Sequence, residues 1–397
     1  VEMTRKFDNV ELKPEDLKVK KSEFAFAIQN IDEEFKRSFQ IAKENIYQYH
    51  SRQKAKQDWT SEKDTKDFFY GEFFTPIESI GAYIPGGTAP LVSTLLMIAV
   101  PARIAGVHEI RVVTPPDKGG KINPYILYAC TQLEIKDVYK VGGAQAIAAL
   151  AFGTETVKKV DKICGPGNKF VTEAKRQVYG FVGIDMLAGP SEVCIIADKT
   201  ANPDFVASDI LSQAEHDPES RAIVLTDNST LAEKICESLD CMIKSDERKD
   251  ILERSLQHSF VIVTDNIEQA FSLIQDIAPE HLEIMTAKVQ NAVKKKYCAG
   301  AVFFGNYTPV VAGDLYAGPN HVLPTRRRAR FSSPLGVYDF LRRSSLLYYS
   351  KEKFMQAAND IMNLAQVEQL PWHKKSVSIR FRQNKEEENT DENKVST

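Results

Sequence analysis

The 397-residue sequence predicts an α/β protein, with two tandem Rossmann-like parallel-sheet lobes, an N-terminal helical arm and a C-terminal helical segment. Three observations lead there. The chain is too long for one ordinary core. Short β-rich runs alternate with helical stretches from Ile80 onward, as strands joined by crossover helices do. The same alternation starts again after residue 200 and stops at about Thr308.

In order, residues 1–70 read as a helical arm and a connection. From Pro14 to Lys54 the pattern is charged and helical, and Phe35, Phe39, Ala42 and Ile46 follow the three-to-four spacing of one buried face. Residues 71–200 form the first lobe, with strands predicted at 82–84, 110–114, 138–141, 160–164 and 193–197. Residues 201–310 form the second, with strands at 222–226, 260–264, 282–285 and 301–304. The boundary falls at a helix start, where Asn202 can cap, Pro203 suits the first position and Asp204 favours the positive end. Val206, Ile210, Leu211 and Ala214 give that helix an apolar stripe. Residues 311–383 combine a Gly-, Pro- and Arg-rich loop with helices expected at 337–347 and 352–370, the last ended by Pro371. Residues 384–397 are acidic and nearly free of apolar side chains, and are expected to be a disordered tail.

Composition narrows the function. A net charge of -3 excludes a generalised nucleic-acid footprint. The apolar run from Leu95 to Val100 is far short of a membrane span, and the opening residues lack the apolar segment of a signal peptide, so a cytoplasmic protein is expected. Cys130, Cys164, Cys194, Cys236, Cys241 and Cys298 are scattered, with no Cys-x-x-Cys pair, and read as reduced structural thiols.

Several stretches can carry chemistry. Tyr83-Ile84-Pro85-Gly86-Gly87-Thr88, Val141-Gly142-Gly143-Ala144-Gln145 and Gly165-Pro166-Gly167-Asn168 each follow a predicted strand. Singly each is a tight turn; together, at the carboxyl ends of parallel strands, they suggest a dinucleotide bound without the usual fingerprint. The Ala188-Gly189-Pro190-Ser191 turn could bring a hydroxyl to the same region. Gln213 and His216 share one face at the end of the Pro203 helix, which is half of a metal site. Glu280 and His281 place a carboxylate beside an imidazole at a strand start, so they can serve different protons. Asp314 and His321 stand seven apart in a glycine-bounded loop, and Glu368 and His373 flank Pro371. Each pair alone is ordinary surface or packing chemistry. Gln213, His216, Asp314 and His373 together would give an N/O ligand set that suits zinc and could accept manganese or cobalt.

These segments, in this order, resemble the histidinol dehydrogenase family from about Lys6 to Gln383. The blocks that carry the resemblance are Ile84–Pro90, Val141–Ala148, Leu211–His216, Pro279–Leu282 and Asn320–Thr325. It implies a zinc- and NAD-dependent oxidation of L-histidinol to L-histidine through L-histidinal. It also implies metal ligands at Gln213, His216, Asp314 and His373 and acid–base chemistry at Glu280 and His281. The implied substrate contacts are Ser191, His321 and Glu368, and the cofactor contacts are Tyr83, Gln145 and Asn168. A homodimer is implied too, with the C-terminal segment completing the partner's site. One departure stands out. Where the family often has small residues, this chain has Arg326-Arg327-Arg328, either a solvated basic loop or a pocket for an anionic hydroxy substrate.

Overall fold

A computed structural model describes residues 1–53, 58–61, 66–86, 90–244 and 246–381. The expected disordered tail at 384–397 lies outside them, as do Gly87 and Thr88 of the first glycine-rich turn. The described residues fall in two compact units, the first within 1–55 and 76–341, the second within 56–75 and 342–397. In chain order the strands are β1 (Trp59–Thr60), β2 (Phe68–Pro76), β3 (Ser79–Tyr83), β4 (Glu109–Thr114), β5 (Asp137–Lys140), β6 (Lys162–Cys164) and β7 (Gly183–Ile184). They continue as β8 (Glu192–Ala197), β9 (Arg221–Thr226), β10 (Phe260–Val263), β11 (His281–Met285), β12 (Ala301–Phe304) and β13 (Leu341–Tyr349).

The first unit holds two five-stranded sheets, ordered β5-β4-β3-β6-β7 and β10-β9-β8-β11-β12. Every ladder in them is parallel. In each sheet the chain starts at the centre, winds outward on one side, then crosses back to the other, so each has one topological switch point. The central strands are buried on both faces, which is why β3 and β8 are short runs without polar alternation. The sequence alone groups β8 with the first lobe. It is the central strand of the second sheet, and its unbroken burial carries no mark of which sheet it joins.

The N-terminal arm is helical as far as Ser51, while residues 59–60 and 68–70, read from the sequence as connection, are strand. The helix Glu33–Ser51 buries Phe39, Ala42 and Ile46, and Asp32 caps it by accepting from the Phe35 N–H. That face packs into one apolar cluster with the helix Val92–Ala105 and β3. Enclosed between arm and sheet, the Val92 helix is apolar nearly all round.

The second unit contains a three-stranded sheet, β1-β2-β13, and the helix Lys351–Val367. Two expectations need correction here. Residues 341–347 are strand, not helix: only a 3-10 turn, Val337–Phe340, precedes β13. Aromatic pairs hold β13 to β2, with Phe68–Tyr349 centroids 4.7 Å apart and Phe69–Tyr348 stacked at 5.2 Å, and this pairing outweighs local helix propensity. Pro371 does not simply end a helix. The Lys351 helix ends at Val367, Gln369 turns through the left-handed region, and a further helix occupies residues 371–381. Proline suits a helix's first position as well as it disrupts an interior one.

Candidate active site

The two sheets of the first unit face each other across a cavity of about 180 Å³. On the far side of it, β8 and β11 begin, and the helix Pro203–Ala214 ends. Asn202 starts this helix by accepting from the Asp204 N–H at 2.9 Å, and Val206, Ile210 and Ala214 bury its inner face. That orientation delivers Gln213 and His216 to the cavity wall together. Gln213 is only 4% exposed. His216 is displaced toward its neutral form by burial.

β11 brings the Glu280-His281 pair. Glu280 Oε2 accepts the Glu192 N–H at 2.9 Å, and His281 Nδ1 donates to the Glu192 carbonyl at 3.1 Å. The backbone of one residue at the start of β8 therefore fixes both groups. Because Nδ1 carries the hydrogen, Nε2 is left as the basic nitrogen. It is buried with no hydrogen-bond partner among the described residues and stands 3.6 Å from Asp314 Oδ1. Burial pushes the Glu280 carboxyl up to about 7. For His281, burial favours the neutral ring, but the Glu280 and Asp314 carboxylates outweigh it and raise the imidazole to about 9.

Asp314 sits in a single π-helical turn, Gly313–Ala317, a geometry found mostly at functional positions. The turn passes so close to Phe303 that a Cβ at Gly313 would lie 2.5 Å from the ring. Burial works to raise the Asp314 carboxyl, yet the neighbouring His281 ring outweighs it and holds the carboxyl below the usual range. His321 closes the wall. Its Nδ1 donates to the Asp314 carbonyl at 2.8 Å, which leaves Nε2 to accept from the Thr94 hydroxyl at 3.1 Å.

Ser191, Gln213, His216, Glu280, His281, Asp314 and His321 thus converge on one cavity. Tyr83, Gln145 and Asn168 stand at the carboxyl edge of the first sheet and are not among its lining. The buried Tyr83 hydroxyl accepts from the Gly143 N–H at 3.1 Å. Asn168 caps the helix Lys169–Val178 by accepting from the Phe170 and Val171 N–H groups. Gly165, at φ +119°, lies so near Tyr83 that a side chain there would meet its carbonyl oxygen at 2.1 Å. Glu368 and His373 belong to the second unit, where both are exposed.

Four contributors escaped the sequence reading. Thr94 holds His321, Glu192 holds the Glu280-His281 pair, and a buried Lys175–Asp185 ion pair braces the Gly165 turn. Thr94 has a signal, being a hydroxyl in a mostly apolar helix. The arginine run does not line the cavity, whose last residue on that loop is Thr325. Arg326 and Arg327, both in the left-handed region, face a separate cleft with Arg221, Leu273 and Ile277. Arg328 donates to the Leu187 carbonyl and Arg330 to that of Gln275.

Among the described residues no cluster of three or more His, Cys, Asp or Glu forms a ready-made metal cage. The set expected here has only two such groups in the first unit, His216 and Asp314, supplemented by the Gln213 amide. A neutral imidazole, an ionised carboxylate and an amide oxygen suit a borderline divalent cation. The buried His281 Nε2, without a hydrogen-bond partner among the described residues, is an atom that a group held in the cavity can engage.

Two Rossmann-like lobes closing on a buried Glu–His pair beside metal-competent donors define an α/β dehydrogenase. Comparison with known proteins narrows the class. The profile described as Histidinol dehydrogenase matches residues 1–381. The histidinol dehydrogenase of Clostridium acetobutylicum is 44% identical over 383 residues, 96% of this chain and 88% of that protein. That of Caldanaerobacter subterraneus is 45% identical over 381 residues, again 96% and 88%. The crystal structure of histidinol dehydrogenase from Elizabethkingia anophelis superposes with a TM-score of 0.90 at 41% identity, covering 97% of this chain and 88% of that one. The chain belongs to the histidinol dehydrogenase family. An acetylating aldehyde dehydrogenase from Geobacillus thermoglucosidasius shares the fold alone, at TM-score 0.53 and 14% identity.

Proposed function

We propose that the protein oxidises L-histidinol to L-histidine through L-histidinal, in two successive hydride removals within the cavity of the first unit. Family membership supports the coarser statement, an oxidoreductase of histidine biosynthesis. The observation that carries the finer one is the Glu280-His281 pair, held by a single backbone residue and turned toward His216 and Asp314.

Gln213, His216 and Asp314, with His373 of a second subunit, would hold zinc; Tyr83, Gln145 and Asn168 would hold NAD. When bound, zinc supplies a template for the substrate's nitrogen and oxygen atoms, and NAD accepts a hydride in each oxidation. The chain's own residues handle the protons. His281 Nε2 takes the proton of the substrate hydroxyl, since Nδ1 is occupied at the Glu192 carbonyl. An Asp314 carboxylate committed to a cation no longer stabilises the imidazolium, so His281 then lies nearer neutrality and can act as this base. Glu280 is fixed through Oε2, which leaves Oε1 to take a proton from water as it adds to the aldehyde. Ser191 and His321 orient the substrate at the cavity wall.

Glu368 would face the substrate's ammonium across a dimer interface, with the C-terminal segment of one subunit completing the site of the other. Leu364, Val367 and Trp372, which flank Glu368 and His373, are largely exposed in the single chain, and such apolar side chains gain from a partner's cover. The cavity is lined by carboxylates rather than arginines, which supports a cationic amino alcohol over an anionic substrate. Among the described residues no helix is long and apolar enough to cross a membrane, and we place the enzyme in the cytoplasm.

The deciding experiment follows NADH formation with limiting L-histidinol, before and after chelator treatment. The proposal expects about two NADH per histidinol, lost on chelation and restored by zinc. No NADH from folded, zinc-treated protein would overturn it.

A further inference from the structure

One buried acid lies outside the chemistry described above. Glu283 is two residues beyond His281 on β11, so the two side chains and that of Met285 share a face. This is the face covered by the Pro203–Ala214 helix, because Met285 packs in one cluster with Val206 and Ile210 of that helix. A carboxyl in such a setting, 1% exposed, requires a structural return for its desolvation.

Two contacts account for it. Glu283 Oε1 accepts the Val310 N–H at 2.8 Å, four residues before Asp314, at the start of the segment that runs into the π-helical turn. The Glu283 carboxyl also lies against that of Asp209, one helical turn before Gln213. Glu283 Oε2 has no hydrogen-bond partner among the described residues. Two carboxyls this close avoid mutual repulsion when one keeps its proton, and burial together with the Asp209 charge favours the protonated form of Glu283.

We propose that Glu283, with Asp209, is the positioning residue of the metal site, tying the strand of His281, the helix of Gln213 and His216, and the turn of Asp314 into one frame. This rests on the reading that Gln213, His216 and Asp314 hold a metal. A ligand set drawn from three elements needs such a tie, because outer partners of metal ligands set the geometry the ion meets.

The test is zinc affinity, measured on the purified protein by competition with a chromogenic chelator, for wild type, Glu283→Ala, Glu283→Gln, Asp209→Ala and His216→Ala. Thermal unfolding of each variant is recorded alongside. Glu283→Ala should bind zinc about 10- to 100-fold more weakly. Glu283→Gln should stay within about threefold of wild type, since its amide oxygen still accepts from Val310 and its amide nitrogen can donate to Asp209. Asp209→Ala, which keeps the Val310 bond, covers the case in which Glu283→Ala fails to fold, and should lose about tenfold. Folded Glu283→Ala or Asp209→Ala with wild-type affinity, or Glu283→Gln as weak as Glu283→Ala, would overturn the assignment. Failure of wild type itself to bind zinc, or of His216→Ala to weaken it, would instead overturn the metal reading beneath it.

Discussion

Replacing Glu280 by Gln separates the two oxidations. The amide oxygen can keep the Glu192 N–H bond that the carboxylate accepts through Oε2, so the geometry survives while the base is lost. With its carboxyl at about 7, wild-type Glu280 is about half ionised at pH 7 and about nine-tenths ionised one unit higher. Turnover of added L-histidinal at subsaturating levels should therefore rise with pH, about tenfold per unit well below 7, and flatten above it. The variant should lose this limb and fall by about 10²- to 10⁴-fold in aldehyde oxidation at pH 8. The first step should change far less. Glu280 is the largest of the influences that raise His281, and removing its charge leaves more of the ring neutral and able to accept the alcohol proton. Initial NADH formation from L-histidinol and from L-histidinal, measured separately across pH 6 to 9 (about one unit below to about two units above Glu280), gives both rates. Equal loss in the two steps would refute the division of labour between Glu280 and His281.

Other expectations concern the frame. His373→Ala should lose zinc at equilibrium, and a variant retaining a full zinc per chain by elemental analysis removes His373 from the ligand set. Gly313→Ala forces a methyl against the Phe303 ring, so the Asp314 turn must shift; denaturant unfolding should show a loss of about 1–3 kcal/mol, with a larger proportional fall in kcat than in stability-matched controls. Lys175→Met leaves the fully buried Asp185 without its cation, and should cost about 3–5 kcal/mol in the same assay. A cost below about 1 kcal/mol would mean that the Gly165 and Met186 N–H groups suffice to hold that carboxylate.

The alternation of strands and helices was legible because burial between helix layers leaves short apolar runs bounded by turn residues. Sheet membership was not. β8 looks the same in either lobe, since both of its faces are covered wherever it sits. β13 was misread because Leu341–Tyr349 has no clean period, and its strand state depends on Phe68 and Phe69, more than 270 residues away in sequence. Within the site, Gln213 and His216 could be placed on one helix end from local signals, and Glu280-His281 on a strand start. Their convergence could not, because it depends on how the sheets face each other. Glu283 leaves a trace in the sequence. Alternation along β11 puts it on the same inward face as Met285, where a carboxyl is out of place unless it has a task.

The placement of the site on its two sheets follows from helix polarity. Open α/β sheets usually bind ligands at the carboxyl edge of their strands, where the amino ends of the following helices point. The first sheet obeys this, and its glycine turns open the helices Gly143–Phe152 and Lys169–Val178 at the edge where Tyr83 ends β3. Such helix starts carry partial positive charge and suit a phosphate-bearing cofactor. The second sheet meets the cavity by its amino edge, where β8 and β11 start and the Pro203 helix finishes. A helix finish carries partial negative charge, which disfavours an anion and favours a cation. Gln213 and His216 lie at that finish, so the backbone beneath them assists the metal they are proposed to hold. The two lobes share one topology, but presenting opposite edges to one cavity gives them opposite electrostatics. A dinucleotide and a divalent metal can then be held side by side, without competition for the same end of a helix.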